Sequence, residues 1–108
     1  MNQAEFERRA AEILDSLFEQ IEDQLGDWLD VEMSGGILQI ELPDGGAYVI
    51  NKHGPNREIW VSSPKSGAWH FAAGGDGVWR STRGTEELTA LLSGELAAAS
   101  GRAVQLEF

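Results

Sequence analysis

The 108-residue sequence contains no cysteine. This absence excludes a disulfide framework, a thiolate nucleophile, a cysteinyl zinc site and an iron–sulfur cluster held by the chain's own thiolates. No apolar run approaches the roughly 18 residues that a membrane helix needs. The N-terminus shows neither a secretory signal nor a transit-peptide pattern, so we expect a cytoplasmic protein that does not enter a membrane.

Basic residues are missing from a long stretch of the chain: between Ala10 and Asn51 there is no Lys, Arg or His. Residues 1–51 hold twelve acidic and two basic residues, whereas residues 52–108 hold six of each, which gives a net charge of −10. Such a surface repels phosphate, so nucleic acid is not expected as a partner. Cations or a basic protein surface complement it.

Motifs of common catalytic sites are absent as well. The sequence has no phosphate-binding loop, dinucleotide fingerprint, EF-hand loop or nucleophile–base pair. The 42% of hydrophobic residues and the dispersed aromatic residues are nevertheless typical of a folded protein, and the length suits one domain over residues 1–108.

The first long pattern predicts an amphipathic helix over residues 4–25. Apolar residues recur there at three- and four-residue spacing and fill one face: Phe6, Ala10, Ile13, Leu14, Leu17, Phe18, Ile21 and Leu25. Asn2 followed by Glu5 resembles a capping box at the start, and Gly26 is a suitable end.

The rest of the chain predicts a sheet followed by a second helix. Short alternating segments over residues 30–81 are separated by turn residues, including Gly35-Gly36 and Asp44-Gly45, and indicate an antiparallel meander. A helix is expected over residues 86–100 with Thr85 as its N-cap. The tail, residues 101–108, alternates and should pack its apolar side on the core. We therefore predict an α+β two-layer sandwich with both helices on one sheet face.

Acidic residues occupy the helix face opposite the apolar one. Glu5 and five further acids fall within about 100° of arc on the helix, and three more acids follow the helix end. We call these acids, without Glu5, the acidic ridge: Glu12, Asp15, Glu19, Glu22, Asp23, Asp27, Asp30 and Glu32. A solvated surface is the simplest interpretation. Like charges at i and i+4 cost stability, however, so their retention without lysines favours a positive ligand. Carboxylates without His or Cys suit Fe²⁺, Fe³⁺, Mn²⁺, Ca²⁺ or Mg²⁺, held weakly and with water.

A second candidate surface lies on the sheet face away from the helices. Alternation in residues 58–62 directs Ile59 and Val61 to the core and Trp60 outward, where a large aromatic favours a protein contact. The opposite register, which buries Trp60, is the alternative. Asn51 could lie near Trp60 across a hairpin, and His70 on the next strand could share its face. His53 and His70 are considered as possible contacts only.

These residues also carry a family resemblance. The run Tyr48-Val49-Ile50-Asn51-Lys52, then Pro55-Asn56, then residues 59–64 (Ile-Trp-Val-Ser-Ser-Pro), resembles the central strands of the frataxin family, and Leu14-Asp15-Ser16-Leu17 resembles its first helix. Gly67 to Phe71 is similar to the bacterial members known as CyaY. The similarity spans nearly the whole chain, with the same order of elements.

The resemblance implies a frataxin-like fold and a role in iron–sulfur cluster assembly. By this resemblance the acidic ridge would bind Fe²⁺ and Fe³⁺ at weak surface sites and would dock on a basic surface of cysteine desulfurase. Asn51, Trp60 and His70, which we call the sheet patch, would contact the iron–sulfur scaffold protein. A monomer is expected, with iron-dependent oligomers as an alternative.

Two further interpretations are compatible with the sequence. The protein could be a purely acidic adaptor whose metal binding is incidental, or an iron chaperone with weak ferroxidase activity. No buried set of Glu and His residues suitable for a di-iron centre is visible in the sequence, which weighs against an enzyme.

Overall fold

A computed structural model describes residues 1–108 as two helices and six strands. In chain order these are α1 (Gln3–Leu25), β1 (Asp30–Ser34), β2 (Ile37–Glu41), β3 (Ala47–His53), β4 (Glu58–Ser63), β5 (Gly67–Ala73), β6 (Trp79–Ser81) and α2 (Leu88–Ser100). The predicted first helix is confirmed to within one residue. Its cap is also as expected, because the Asn2 side chain accepts a hydrogen bond from the Glu5 backbone N–H at 2.8 Å.

The six strands form one antiparallel sheet in sequential order. Its register begins at the β1–β2 turn, where Gly35 and Gly36 have φ of +58° and +78°. Glycine reaches these angles without steric cost, so the turn has only two residues and Ser34 lies opposite Ile37. This register determines which side chains share each face of the sheet.

Both helices pack on one face of the sheet, which confirms the predicted two-layer α+β sandwich. Alternate strand residues and the apolar helix faces form one buried core, which includes Phe6, Ile13, Leu17, Leu38, Ile40, Tyr48, Ile50, Ile59, Phe71, Leu88, Leu92 and Leu96. The opposite face carries no covering element. Neither helix is apolar enough over a sufficient length to span a membrane.

The start of the second helix differs from the prediction. The helix begins at Leu88 rather than Glu86, and its N-cap is Glu87, without a side-chain cap bond, rather than Thr85. The reason is backbone pairing: Glu86 C=O accepts from Ser81 N–H at 2.7 Å, and Glu87 forms an isolated bridge with Arg80. Extending the short strand β6 in this way outweighs the local helix-start signal of Thr85.

The C-terminal tail packs its apolar side on the core as predicted, except at its last residue. Leu106 is buried and Val104 packs against the core, whereas Phe108 is 60% exposed. Two glutamines of α1 hold the tail backbone, since Gln24 exchanges hydrogen bonds with Gln105 and Gln20 does so with Glu107. The glutamine amides therefore pair with the tail much as a neighbouring strand would.

Glu95 of α2 organises a polar group at the edge of the core that we call the Glu95 cluster, together with Tyr48, Ser63 and Ser66. The carboxylate accepts hydrogen bonds from the Tyr48 and Ser63 hydroxyls, both at 2.7 Å, and from Ser66 at 2.5 Å. Burial alone would raise the pKa of Glu95, but these three bonds lower it below its usual value. Burial and the bond to Glu95 raise the pKa of Tyr48. The cluster joins α2 to β3 and to the β4–β5 turn.

Candidate functional site

The α1 part of the acidic ridge faces solvent along its whole length. Because α1 buries its apolar face on the sheet, the acids on the opposite side of the 3.6-residue repeat must project outward. Glu12, Asp15, Glu19, Glu22 and Asp23 are all exposed. Only Glu12 has a basic partner, Arg8 at 3.2 Å, and the other four carboxylates have neither an ion pair nor a side-chain hydrogen bond.

Asp27 differs from the other members of the ridge. Its carboxylate pairs with the Arg102 guanidinium at 2.7 Å, and this hydrogen bond lowers the pKa of Asp27. The charge of Asp27 is therefore largely compensated within the chain. The sequence could not indicate this pair, because 75 positions separate the two residues.

The ridge continues around the edge of the sheet on β1. Asp30 and Glu32 are on the uncovered face, and Asp30 lies directly opposite Glu41 of β2. These three acids line a depression of about 190 Å³ together with Gln39 and Val31. Sequence reasoning missed Glu41, although the two-residue Gly35-Gly36 turn already implies that Asp30 and Glu41 are opposite each other.

The ridge carboxylates do not converge into a chelating centre. No three Asp, Glu or His side chains lie close enough together to hold one metal ion. A cation bound here would therefore take one or two carboxylates and keep most of its water, an arrangement that hard divalent ions accept. The donor set suits such ions chemically, with low affinity and little selectivity.

The three residues of the sheet patch lie in one row on the uncovered face. Asn51 of β3 is opposite Trp60 of β4, and Trp60 is opposite His70 of β5. Ile59 and Val61 on either side of Trp60 are buried in the core. The outward orientation of Trp60 is therefore confirmed, and the alternative register that buries it is wrong.

Two histidines enclose the Trp60 side chain. The His53 ring stacks on one face of the indole with centroids 3.7 Å apart and planes within 9°, and the His70 ring stacks with centroids 4.3 Å apart and planes within 8°. The indole N–H donates to Glu58 Oε1 at 2.9 Å. The sequence indicated His53 only as a possible contact and gave no role to Glu58, because their positions depend on the register of three strands at once.

Comparison with known proteins places these features in a family. Residues 1–102 match the model of the frataxin-like domain family. The iron–sulfur cluster assembly protein CyaY of Neisseria meningitidis strain FAM18 is 40% identical over 110 residues, covering 99% of this chain and 97% of that protein. The protein of the same name from Vibrio cholerae strain O395 is 40% identical over 98 residues, 88% of each chain.

Solved structures agree with the sequence comparison. Trimeric frataxin from the yeast Saccharomyces cerevisiae, complexed with ferrous iron, superposes with a TM-score of 0.80 at 38% identity over 87% of both chains. Frataxin from Psychromonas ingrahamii superposes over the full length of both chains with a TM-score of 0.87 at 24% identity, which supports the fold. The family match, the relatives at 40% identity and the shared fold together show that this chain belongs to the frataxin family.

Proposed function

We propose that this protein is an iron-binding adaptor and regulator of iron–sulfur cluster assembly in the cytosol. In this proposal the acidic ridge binds Fe²⁺ and Fe³⁺ and also docks on a basic surface of cysteine desulfurase. The sheet patch contacts the iron–sulfur scaffold protein. Relatives at 40% identity are named as iron–sulfur cluster assembly proteins, and a yeast relative is described in complex with ferrous iron.

The observation that carries the proposal is the run of uncompensated carboxylates on α1. Asp15, Glu19, Glu22 and Asp23 have no basic neighbour within ion-pair distance, and the residues four positions after Asp15 and Glu19 are themselves acidic, which costs stability. The last two also lie near the C-terminal, negative end of the helix dipole, where acids are unfavourable. Folding alone gains nothing from this arrangement, whereas binding of a cation or a basic surface does.

Iron acts in this proposal as cargo or signal rather than as a resident cofactor. Exposed carboxylates can exchange a hydrated ion quickly, because few protein ligands must be released at each step. This property suits a protein that senses or delivers iron. One ion on the ridge also reduces its negative charge, so iron binding would weaken docking on a basic surface and thereby couple the two roles.

A second candidate function is that of an acidic adaptor that recognises only a basic partner. The observation that favours it is the lack of any three converging metal ligands. Under this alternative, metal binding is incidental, and the ridge contributes only through its negative potential.

Thermal unfolding with Fe²⁺ under anaerobic conditions tests the iron role of the ridge. A ligand that binds the folded state raises its stability by RT ln(1 + [L]/Kd), so millimolar Fe²⁺ should raise the Tm of the unmodified protein. A quadruple variant with Asp15→Asn, Glu19→Gln, Glu22→Gln and Asp23→Asn should lose most of that increase.

The matched control neutralises four exposed acids that are not members of the ridge. It carries Asp76→Asn, Glu86→Gln, Glu87→Gln and Glu107→Gln, and each variant is compared with itself without metal. The control should keep the Fe²⁺-induced increase in Tm. If the ridge variant keeps the full increase as well, the iron role of the ridge is refuted and the adaptor alternative is favoured.

A further inference from the structure

Three rings stack on one another on the uncovered face of the sheet. A tryptophan that contacts a partner alone would need no such neighbours. His53, Trp60 and His70 come from three neighbouring strands and lie nearly parallel. The His70 and Glu58 side chains are only 34% and 16% exposed. The indole therefore has neighbours on both faces and at its N–H group.

This arrangement restricts how a partner can contact Trp60. Both indole faces are covered by imidazole rings, so a partner ring cannot stack on Trp60 without displacing a histidine. The indole N–H already donates to Glu58 at 2.9 Å and offers no free hydrogen bond. Only the outward-facing edges of the three rings, which we call the rim, remain for contact. A partner must therefore accommodate this rim in a cleft rather than on a flat surface.

We propose that His53 is a positioning residue for docking at the sheet patch: its ring, with that of His70, holds the Trp60 indole upright, so that the partner binds a preorganised three-ring rim in a cleft. The inference rests on the proposed function of the sheet patch. Fixing a large side chain before binding reduces the entropy lost on association, which is how such a clamp increases affinity.

His53 has a second contact that must be separated from the stack. Its Nδ1 accepts a hydrogen bond from the Asn56 backbone N–H at 3.3 Å, within the β3–β4 turn. An effect of removing His53 could therefore come from the turn alone. Two substitutions separate the roles, since Asn keeps an acceptor for this N–H without a stacking ring, and Phe keeps a flat ring without an acceptor.

The experiment measures the affinity of His53→Asn and His53→Phe for the purified complex of cysteine desulfurase and scaffold protein by calorimetry. An aromatic pair contributes about 0.5–1.5 kcal/mol beyond its buried area, so His53→Asn should weaken docking by about 2- to 12-fold. His53→Phe should stay within about twofold of the unmodified protein. Ser62→Ala, an exposed residue on the same face of β4, is the matched control and should dock normally.

A measurement on the free protein checks the positioning role directly. The ¹⁵N–¹H heteronuclear NOE of the Trp60 indole reports picosecond-to-nanosecond motion of the ring. It should decrease in His53→Asn and remain high in His53→Phe. A merely structural role in the turn predicts the reverse order, because only the Phe variant loses the turn hydrogen bond.

The outcomes distinguish this inference from the proposed function on which it rests. If Trp60→Ala docks as well as the unmodified protein, the sheet patch is not the docking surface and the proposed function fails there. If Trp60→Ala abolishes docking but His53→Asn does not weaken it, or His53→Phe is as weak as His53→Asn, docking at the patch stands and the positioning role of His53 is refuted.

Discussion

Replacing Glu95 tests whether the Glu95 cluster joins the second helix to the sheet. In Glu95→Ala the hydroxyls of Tyr48, Ser63 and Ser66 all lose their acceptor. Tyr48 is fully buried and Ser63 nearly so in the intact protein, so both hydroxyls lose their acceptor within the fold. Ser66 is exposed and can be rehydrated, so its loss costs little.

The expected cost follows from the two buried donors. A buried donor left without a partner costs about 1–3 kcal/mol, which gives about 2–6 kcal/mol for the two donors in Glu95→Ala. This is a large part of the roughly 5–15 kcal/mol typical of a small domain. Glu86→Ala removes an exposed glutamate without side-chain hydrogen bonds and should change stability by no more than about 0.5 kcal/mol.

The pH dependence of Glu95→Gln gives an independent check with a defined sign. The folded-state pKa of Glu95 is lowered from its ordinary value of 4.5, so its carboxylate stabilises the folded state above that pH. This contribution is lost as the pH falls through the folded-state pKa. The stability difference between the unmodified protein and Glu95→Gln should therefore be constant near neutral pH and decrease in the acid range below about pH 4.5.

Urea unfolding followed by tryptophan fluorescence measures both quantities. The free energy of unfolding is obtained for the two Glu95 variants and for Glu86→Ala across the acid and neutral range. The reasoning is refuted if Glu95→Ala is as mild as Glu86→Ala, or if the difference for Glu95→Gln does not change on acidification.

Two further predictions follow from the ridge and the sheet patch. Without metal, the quadruple ridge variant should unfold a few degrees higher than the unmodified protein, because each like-charge pair at i and i+4 costs a few tenths of a kcal/mol; an unchanged or lower Tm in calorimetry contradicts this. Trp60→Ala should change the free energy of unfolding less than Ile59→Ala, which removes a fully buried side chain at a typical cost of about 2–5 kcal/mol. Equal destabilisation in urea would contradict the smaller contribution to stability that the partly exposed position of Trp60 implies.

Local patterns were sufficient to predict most of the fold. The apolar residues of α1 repeat at helical spacing, and the Gly35-Gly36 turn fixes a hairpin without reference to the rest of the chain. The start of α2 could not be predicted in this way. Thr85 followed by two glutamates is a typical local pattern for a helix start. In the structure, however, the backbones of Glu86 and Glu87 pair with strand β6, which is a tertiary effect.

The candidate site, like the fold, was predictable where it depends on local periodicity and not where it depends on contacts between distant elements. The exposed acids of α1 follow from helical periodicity, and the outward position of Trp60 follows from strand alternation. The compensation of Asp27 by Arg102 and the stacking of His53 on Trp60 depend on how distant elements meet. Such contacts leave no periodic signal, and a histidine at the end of a strand looks the same in the sequence whether or not it stacks.

The measurement that tests the central claim most directly is the effect of charge reversal on the ridge. Glu19→Lys with Glu22→Lys is compared with Glu86→Lys with Glu87→Lys, which changes the net charge of −10 by the same amount but away from the ridge. The ridge variant should lose both Fe²⁺ binding, measured by anaerobic calorimetry, and docking on cysteine desulfurase, while the control keeps most of both. If both activities persist in the ridge variant, or fall equally in the two variants, the placement of charge on α1 does not determine function.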